Sequence, residues 1–167
     1  SNREFKTAEK VAKHLKDLGL EVKTGIAHTG VVAILRGGKS GPMVALRADM
    51  DGLPVVEMTG LPFASKERDI YNGLDVGVMH ACGHDCHTSM LLGAAKILKE
   101  NEKNVNGTIK LLFQPAEEGG AGGKLMCEEG VLDSPEVERI FGLHVWPLLP
   151  TGTIGSREGV FLAATSF

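Results

Sequence analysis

Short apolar segments alternate with helical patterns along the chain, and this alternation constrains the fold more than any other feature. Residues 30–37, 43–50 and 107–115 are β-branched or apolar and are bounded by Gly or Pro, which is typical of buried strands. Apolar side chains at helical spacing predict helices over residues 1–18 and 88–101. Strands that alternate with helices predict an α/β fold, with a central mixed, partly parallel sheet flanked by helices.

The remaining predicted elements are shorter. We expect Ser1 or Asn2 to cap the first helix, and the strands 30–37 and 43–50 to pair as a hairpin across the turn 38–42. The other predictions are an extended piece at 21–23, a long loop over 51–77 with a short strand at 53–58, a short helix at 122–132, a strand at 138–147 and strand-like sequence over 151–167.

Composition excludes several function classes. The chain has 167 residues, 43% of them hydrophobic, which is enough for the core of one domain. A net charge of -3 and the lack of a long apolar run give no reason to expect a nucleic-acid or membrane partner. Two of the three cysteines lie four residues apart, which makes a poor disulfide framework and favours a reduced, cytoplasmic setting.

Metal-binding residue types gather where strands end or helices begin, and each cluster is flanked by Gly or Pro. These residues are Asp49, Asp51, Cys82, His84, Glu117, Glu118 and His144. In open α/β sheets, ligands bind outside the carboxyl ends of the strands. We therefore expect these side chains to converge on one edge of the sheet.

Thiolate, imidazole and carboxylate ligands together predict a divalent-metal site. The set is larger than one tetrahedral ion needs, and it suits two ions joined by a bridging thiolate or carboxylate. Gly83 lets its neighbours Cys82 and His84 face the same way. In the pair Glu117–Glu118, one carboxylate can bind metal while the other takes a proton from a nearby water. These are the catalytic groups expected of a metal hydrolase that acts on an amide or ester.

The same residues also have ordinary structural roles. Adjacent glutamates are commonly part of a solvated face, and aspartates beside a turn are commonly turn residues. Cys82 and Cys86 have a spacing that permits a redox disulfide, although that hypothesis leaves the carboxylates unexplained. We expect Cys86 and Cys127 to be packed in the interior.

Four segments resemble a known family. "ALRADMDGLPV", "MHACGHDCHTSMLLGAA", "LLFQPAEEG" and "FGLHVWP" are similar to segments of the metal-dependent amidohydrolases within the aminoacylase and carboxypeptidase group of zinc peptidases. That family includes hippurate hydrolase, N-acyl-amino-acid amidohydrolases and hydrolases of indole-acetyl amino acids. The resemblance covers essentially the whole chain, with the segments in family order, and it implies a zinc-peptidase-like catalytic domain.

The resemblance also implies a role for each candidate residue in a site of two divalent ions, Zn or Mn. Cys82 resembles a bridging thiolate, and Glu117 resembles the general base. The other implied metal ligands are His84, Glu118 and His144. Asp49, Asp51, Asp85 and His87 are implied to support ligands or to face the substrate, with Asp51 orienting a ligand histidine.

The implied reaction is hydrolysis of the amide bond of N-acyl amino acids, which are small-molecule substrates. Family members are longer and contribute a further metal-binding histidine and a lid domain through which they often dimerise. We therefore expect residues 1–167 to be a truncated, partial catalytic domain that is inactive alone, with a full-length homodimer formed through the lid. The alternative is an inactive truncated homologue that acts only as a metal-binding or interaction fragment.

Overall fold

The structure, a computed structural model, describes residues 1–159. Its strands are β1 (Glu21–Ile26), β2 (Gly30–Arg36), β3 (Lys39–Asp49), β4 (Arg68–Tyr71), β5 (Leu74–Gly77), β6 (Asn106–Gln114) and β7 (Arg139–Gly142). Its helices are α1 (Phe5–Asp17), α2 (His84–Glu100) and α3 (Gly122–Glu128), with a 3₁₀ turn at Glu102–Asn104.

Five strands form one mixed sheet in the order β1-β2-β6-β3-β7. The pairs β1–β2 and β2–β6 are antiparallel, whereas β3 runs parallel to both β6 and β7. Strands β4 and β5 form a separate antiparallel hairpin. The predicted α/β class with a mixed, partly parallel sheet is therefore confirmed.

The predicted hairpin between β2 and β3 is wrong, because β6 lies between them and pairs with both. Three glycines make room where the chain crosses the start of β6. A Cβ atom at Gly37 would lie 2.3 Å from the carbonyl oxygen of Val105, just before β6, and one at Gly41 would lie 2.7 Å from the backbone nitrogen of Gly107. A Cβ at Gly107 would lie 2.0 Å from the Pro42 carbonyl oxygen. Only glycine permits such close approach of the two backbones.

Two of the three predicted helix starts are displaced, whereas α3 begins at Gly122 as predicted. The first helix begins at Phe5 rather than at Ser1, because the preceding residues make tertiary contacts: the Ser1 hydroxyl donates to Asp51, and Glu4 accepts from Thr29. Helix α2 begins at His84, four residues before the predicted start at Thr88.

Three strand predictions also need correction. Leu53 forms only an isolated bridge with Met79, so 53–58 is not a strand. The hairpin β4–β5 was not predicted, although its Asn72-Gly73 turn is a hairpin signal. Strand β7 ends at Gly142, and residues 151–159 contain no strand; the rest of the predicted C-terminal strand lies outside the described residues.

The sheet is covered on both faces. Helices α1 and α2 pack on one face, through a cluster that includes Val11, Leu15, Leu91, Ala95 and Phe113. Helix α3 and the loop after it contact the other face, where Met126 and Val131 meet residues of β2, β3 and β6. Parallel pairing of β3 with β6 and with β7 places the carboxyl ends of these three strands at one edge of the sheet.

One buried cation supports the second face. Lys110 in β6 is 2% exposed, and its Nζ donates to the carbonyl oxygens of Val131 (2.7 Å) and Pro135 (3.0 Å). These bonds tie the loop between α3 and β7 to the sheet. Within residues 1–159, the structure contains no helix that is both long and apolar enough to cross a membrane.

A pair of glycine substitutions tests the close crossing beside β6. Gly107 has a φ of +82° and no room for a Cβ, whereas nothing lies within 4 Å of a Cβ at Gly93 in α2. We expect Gly107→Ala to lower the free energy of unfolding by more than about 2 kcal/mol. Gly93→Ala should raise it by about 0.5–1 kcal/mol, because alanine is the better helix former. Urea unfolding of both variants measures the difference, and equal stabilities would contradict the crossing.

Candidate metal centre

Three parallel strand ends and the start of α2 bring the candidate residues together. Asp49 is the last residue of β3 and lies opposite Gln114, the last residue of β6. Glu117 and Glu118 follow β6 by three and four residues, and His144 follows β7 by two. Their side chains therefore reach the same sheet edge as Cys82 and His84.

Gly83 allows the start of α2 to approach the loop after β7. It has a left-handed backbone with φ +83°, and a Cβ atom there would lie 2.2 Å from Cγ2 of Val145. Glycine therefore permits both the turn into α2 and the close contact with Val145. The result places Cys82 Sγ 3.4 Å from His144 Nε2.

Among residues 1–159, the potential metal ligands form three overlapping groups that share His84. The groups are Cys82, His84 and His144; His84, Glu117 and Glu118; and Asp49, His84 and His87, each with ligand atoms within 4.8 Å of one another. His84 Nε2 lies 3.8 Å from a Glu118 oxygen, 3.9 Å from a Glu117 oxygen and 3.6 Å from an Asp49 oxygen.

His84 Nε2 provides the test of whether these residues fit a cation. The residue is 1% exposed, and Nε2 is a buried polar atom without a hydrogen-bond partner. Nδ1 lies 2.9 Å from the Asp51 carbonyl oxygen, to which it can donate only when it carries the proton. A bare Nε2 among carboxylate oxygens is unfavourable unless a proton or a metal cation occupies it. The donor set therefore fits a divalent metal.

Asp51 joins the glutamate pair to His84. Its carboxylate is buried and accepts the backbone N–H groups of Glu117 and Glu118, each at 3.0 Å, and the Ser1 hydroxyl at 2.7 Å. Burial raises the pKa of Asp51, but hydrogen bonds from His84, the two N–H groups and Ser1 outweigh it and hold the pKa well below its usual range. Asp51 is therefore an ionised acceptor that fixes the turn carrying both glutamates.

Asp49 is the centre of a second buried network. Its carboxylate lies 2.6 Å from both Arg47 Nη1 and His87 Nδ1, and His87 Nε2 accepts the Val145 N–H at 2.9 Å. Burial raises the pKa of Asp49, but the hydrogen bond from His87 and the Arg47 charge overcome it and lower the pKa. Both ring nitrogens of His87 are thus engaged.

The site carries an excess of negative charge around Cys82. Burial, a hydrogen bond to Glu118 and the charges of Glu118, Glu117 and Asp49 together raise the pKa of the Cys82 thiol to about 11. The pKa of His84 is raised as well, because the hydrogen bond to Asp51 and the charge of Asp49 outweigh the lowering effect of burial. Such surroundings attract a cation, and a bound metal favours the thiolate.

Not every candidate lies in the site. Asp85 is exposed on the first turn of α2 and belongs to none of the ligand groups found among residues 1–159. Cys86 and Cys127 are exposed rather than packed, because they lie on the outer faces of α2 and α3 beside the buried residues His87 and Met126. All three cysteines are free thiols.

Sequence reasoning missed several supporting groups. Arg47 orders Asp49, and it also donates to Gln114 Oε1 at 2.9 Å. Arg47 is two residues before Asp49 on the same strand, so the alternation of strand side chains could have revealed that they share a face. The contacts of Ser1 and of the Val145 N–H carry no comparable sequence signal.

Two solved structures that share this architecture are more than 40% identical to the chain in sequence. The crystal structure of the Bacillus subtilis YXEP protein, described as a dinuclear metal binding peptidase from the M20 family, matches with a TM-score of 0.85 and 43% identity over 95% of this chain and 42% of that chain. A putative aminohydrolase from methicillin-resistant Staphylococcus aureus matches with a TM-score of 0.77 and 41% identity, over 87% of this chain and 35% of that one.

The chain belongs to peptidase family M20/M25/M40, whose model matches residues 45–159. It is 47% identical to N-acetyl-L-cysteine deacetylase of Bacillus subtilis over 98% of this chain, and 49% identical to the IAA-amino acid hydrolase ILR1-like 5 of Arabidopsis thaliana over 97% of it. The family resemblance of the four sequence segments is therefore confirmed. The chain spans 37% and 35% of the length of these two relatives.

Substitution of Asp51 tests its role as shared acceptor. In Asp51→Asn one oxygen becomes an NH2 group that faces a backbone N–H, so one donor loses its acceptor. We expect the free energy of unfolding to fall by about 2–3 kcal/mol. Asp17→Asn is the matched control, because Asp17 is 62% exposed and pairs with Lys13 at the surface; it should change stability by less than about 0.5 kcal/mol. Urea unfolding that gives equal effects for both variants would contradict this role.

Proposed function

We propose that this chain carries part of a two-metal site that hydrolyses the amide bond of N-acyl amino acids. The observation that carries the proposal is the convergence of a thiol (Cys82), a second imidazole (His144) and two glutamates on His84, whose Nε2 has no hydrogen-bond partner. The matching relatives are named as hydrolases and deacetylases, which favours an enzyme over a non-catalytic fragment.

Cys82, His84, Glu118 and His144 are the proposed ligands of two divalent ions. Cys82 is the proposed bridge, because its sulfur lies near both His144 and Glu118. Thiolate and imidazole favour zinc, while the carboxylates also suit manganese. When bound, such ions polarise the amide carbonyl and lower the pKa of the attacking water.

Glu117 is the proposed general base. Its side chain is 41% exposed, so it can reach substrate, and it lies 3.9 Å from His84 Nε2 at the centre of the ligand cluster. The bond from its backbone N–H to Asp51 fixes its position. Glu117 takes a proton from the attacking water and delivers it to the leaving nitrogen, which releases a carboxylic acid and an amino acid.

The proposed substrate class follows from the names of the relatives. N-acetyl-L-cysteine and IAA-amino acids are both N-acyl amino acids, in which a small acyl group is joined to an amino acid. A small molecule of this class is thus the proposed partner. The cytoplasm is the proposed compartment, and a homodimer formed through a lid domain is the proposed assembly of the full-length protein.

Glu117→Gln tests the general base in the full-length protein. The amide keeps the shape of the side chain but cannot take the proton, so we expect kcat on N-acyl amino acids to fall about 10²- to 10⁴-fold. Metal content should not change, because Glu117 is not a proposed ligand. The control is Glu128→Gln on the exposed side of α3, which should keep full activity. Full activity of metal-loaded Glu117→Gln would show that another group is the base.

Cys82→Ser and Cys86→Ser form a matched pair for the bridging ligand. The two thiols are four residues apart, but only Cys82 lies in a ligand group. Serine is a poor metal ligand compared with thiolate, so Cys82→Ser should lose metal on dialysis while Cys86→Ser retains it. Elemental analysis of the dialysed proteins measures this. Equal metal content in the two variants would remove Cys82 from the site.

A further inference from the structure

A buried chain of side chains runs behind the candidate metal centre to the loop that carries His144. It begins at Arg47, passes through Asp49 to His87, and ends at the backbone N–H of Val145. We propose that His87 is a positioning residue that holds His144 in place through the Val145 N–H, and that it neither binds metal nor contacts substrate. This inference rests on the proposed function, because it assigns His87 a task for the ligand His144.

The hydrogen bonds of His87 fix its tautomer. Asp49 is ionised beside the Arg47 guanidinium and can only accept, so His87 Nδ1 must carry the proton that it donates over 2.6 Å. Nε2 is then bare and accepts the Val145 N–H at 2.9 Å. The ring is 3% exposed and has no nitrogen left for an ion or a substrate.

The Arg47–Asp49 end of this hydrogen-bonded series is held by β3, β6 and α2. Arg47 holds the Asp49 carboxylate from β3 and also bonds Gln114 at the end of β6. On α2, Thr88 donates its hydroxyl to the Asp49 carbonyl oxygen at 2.9 Å. Asp49 and the first turn of α2 are therefore fixed to each other. This fixes the position of His87, which accepts the Val145 N–H from the loop after β7.

Val145 makes two contacts with the start of α2, and its carbonyl oxygen lies 2.7 Å from His144 Nδ1, so the position of His144 depends on that of Val145. The backbone N–H bonds His87, and the side chain lies against the open face of Gly83, where a Cβ would come within 2.2 Å of Cγ2. The His144 ring lies 4.5 Å from the His87 ring, centroid to centroid. His144 itself is exposed, so burial does not fix it. The bond to His87 connects this exposed segment to the interior.

The proposal predicts that loss of the His87–Val145 bond weakens the binding of one metal ion and not of the other. Without an acceptor for the Val145 N–H, His144 should lose its position, while Cys82, His84 and Glu118 keep theirs. One of the two ions should then bind more weakly. Loss of a group that orients a metal ligand typically costs about 10- to 100-fold in metal affinity.

Two amide substitutions separate the two ends of the imidazole. In His87→Gln the longer side chain brings its amide oxygen to the place of Nε2, where it can accept from Val145. In His87→Asn the shorter side chain reaches only the place of Nδ1, so it keeps the bond to Asp49 and loses the one to Val145. The two variants therefore keep opposite bonds: His87→Asn keeps only the bond to Asp49, and His87→Gln keeps only the bond to Val145 that the proposal invokes.

The experiment loads the full-length protein and both variants with Co²⁺ and titrates them with a chelator. Cobalt content gives the affinity for each ion, and the thiolate-to-cobalt absorption band reports whether Cys82 still binds. We expect His87→Asn to bind one ion about 10- to 100-fold more weakly and to keep the thiolate band. His87→Gln should stay close to the unsubstituted protein.

Three results would overturn the proposal: unchanged affinity in His87→Asn, an equal loss in both variants, or joint loss of both ions and the thiolate band. If the variants do not fold, the ¹⁵N shifts of His87 in the unsubstituted protein decide, since a proton on Nε2 is incompatible with the proposal and a proton on Nδ1 alone supports it. An unsubstituted protein that takes up no pair of ions would instead refute the proposed function.

Discussion

The candidate site depends on the hydrogen bonds that the buried carboxylate of Asp51 accepts. This carboxylate accepts the backbone N–H groups of both Glu117 and Glu118 and lies 3.3 Å from His84 Nδ1, so one side chain joins the loop after β6 to the start of α2. A charged acceptor with this many donors is stable in the interior because its hydrogen bonds replace those of water. Without it, the turn that carries the proposed base would lose its acceptor, and His84 Nδ1 would keep only the Asp51 carbonyl oxygen.

The sheet topology brings Asp51 within reach of both the loop after β6 and the start of α2. The parallel strands β3, β6 and β7 end at one edge, so the residues that follow them meet there although they are far apart in sequence. Insertion of β6 between β2 and β3 brings Asp49 opposite Gln114, and the close backbone contact at Gly107 makes that insertion possible. The fold thus brings the candidate ligands to one edge of the sheet, and hydrogen bonds to the buried aspartates set the positions of their side chains.

The sequence predicted the ends of β3 and β6 to within one residue, and the convergence of the polar clusters, because apolar runs and the clusters after them are local signals. It placed the end of β7 at residue 147 rather than at Gly142. It did not predict that β6 separates β2 from β3, since the partner of a strand depends on contacts distant in sequence. Helix α2 was predicted to start late, because Gly83 and not a polar side chain precedes it. Two donors to Asp51 and the donor to His87 are backbone N–H groups, which nearly every residue possesses and which therefore leave no mark in the sequence.

Anomalous X-ray diffraction from crystals of the metal-loaded, full-length protein tests the central claim most directly. The account predicts two ions about 3.5–4 Å apart at the carboxyl edge of the sheet. Cys82 should bridge them, His84, Glu118 and His144 should be ligands, and the Glu117 carboxylate should bind neither ion. A single ion, ions bound elsewhere, or Glu117 bound directly to metal would contradict it.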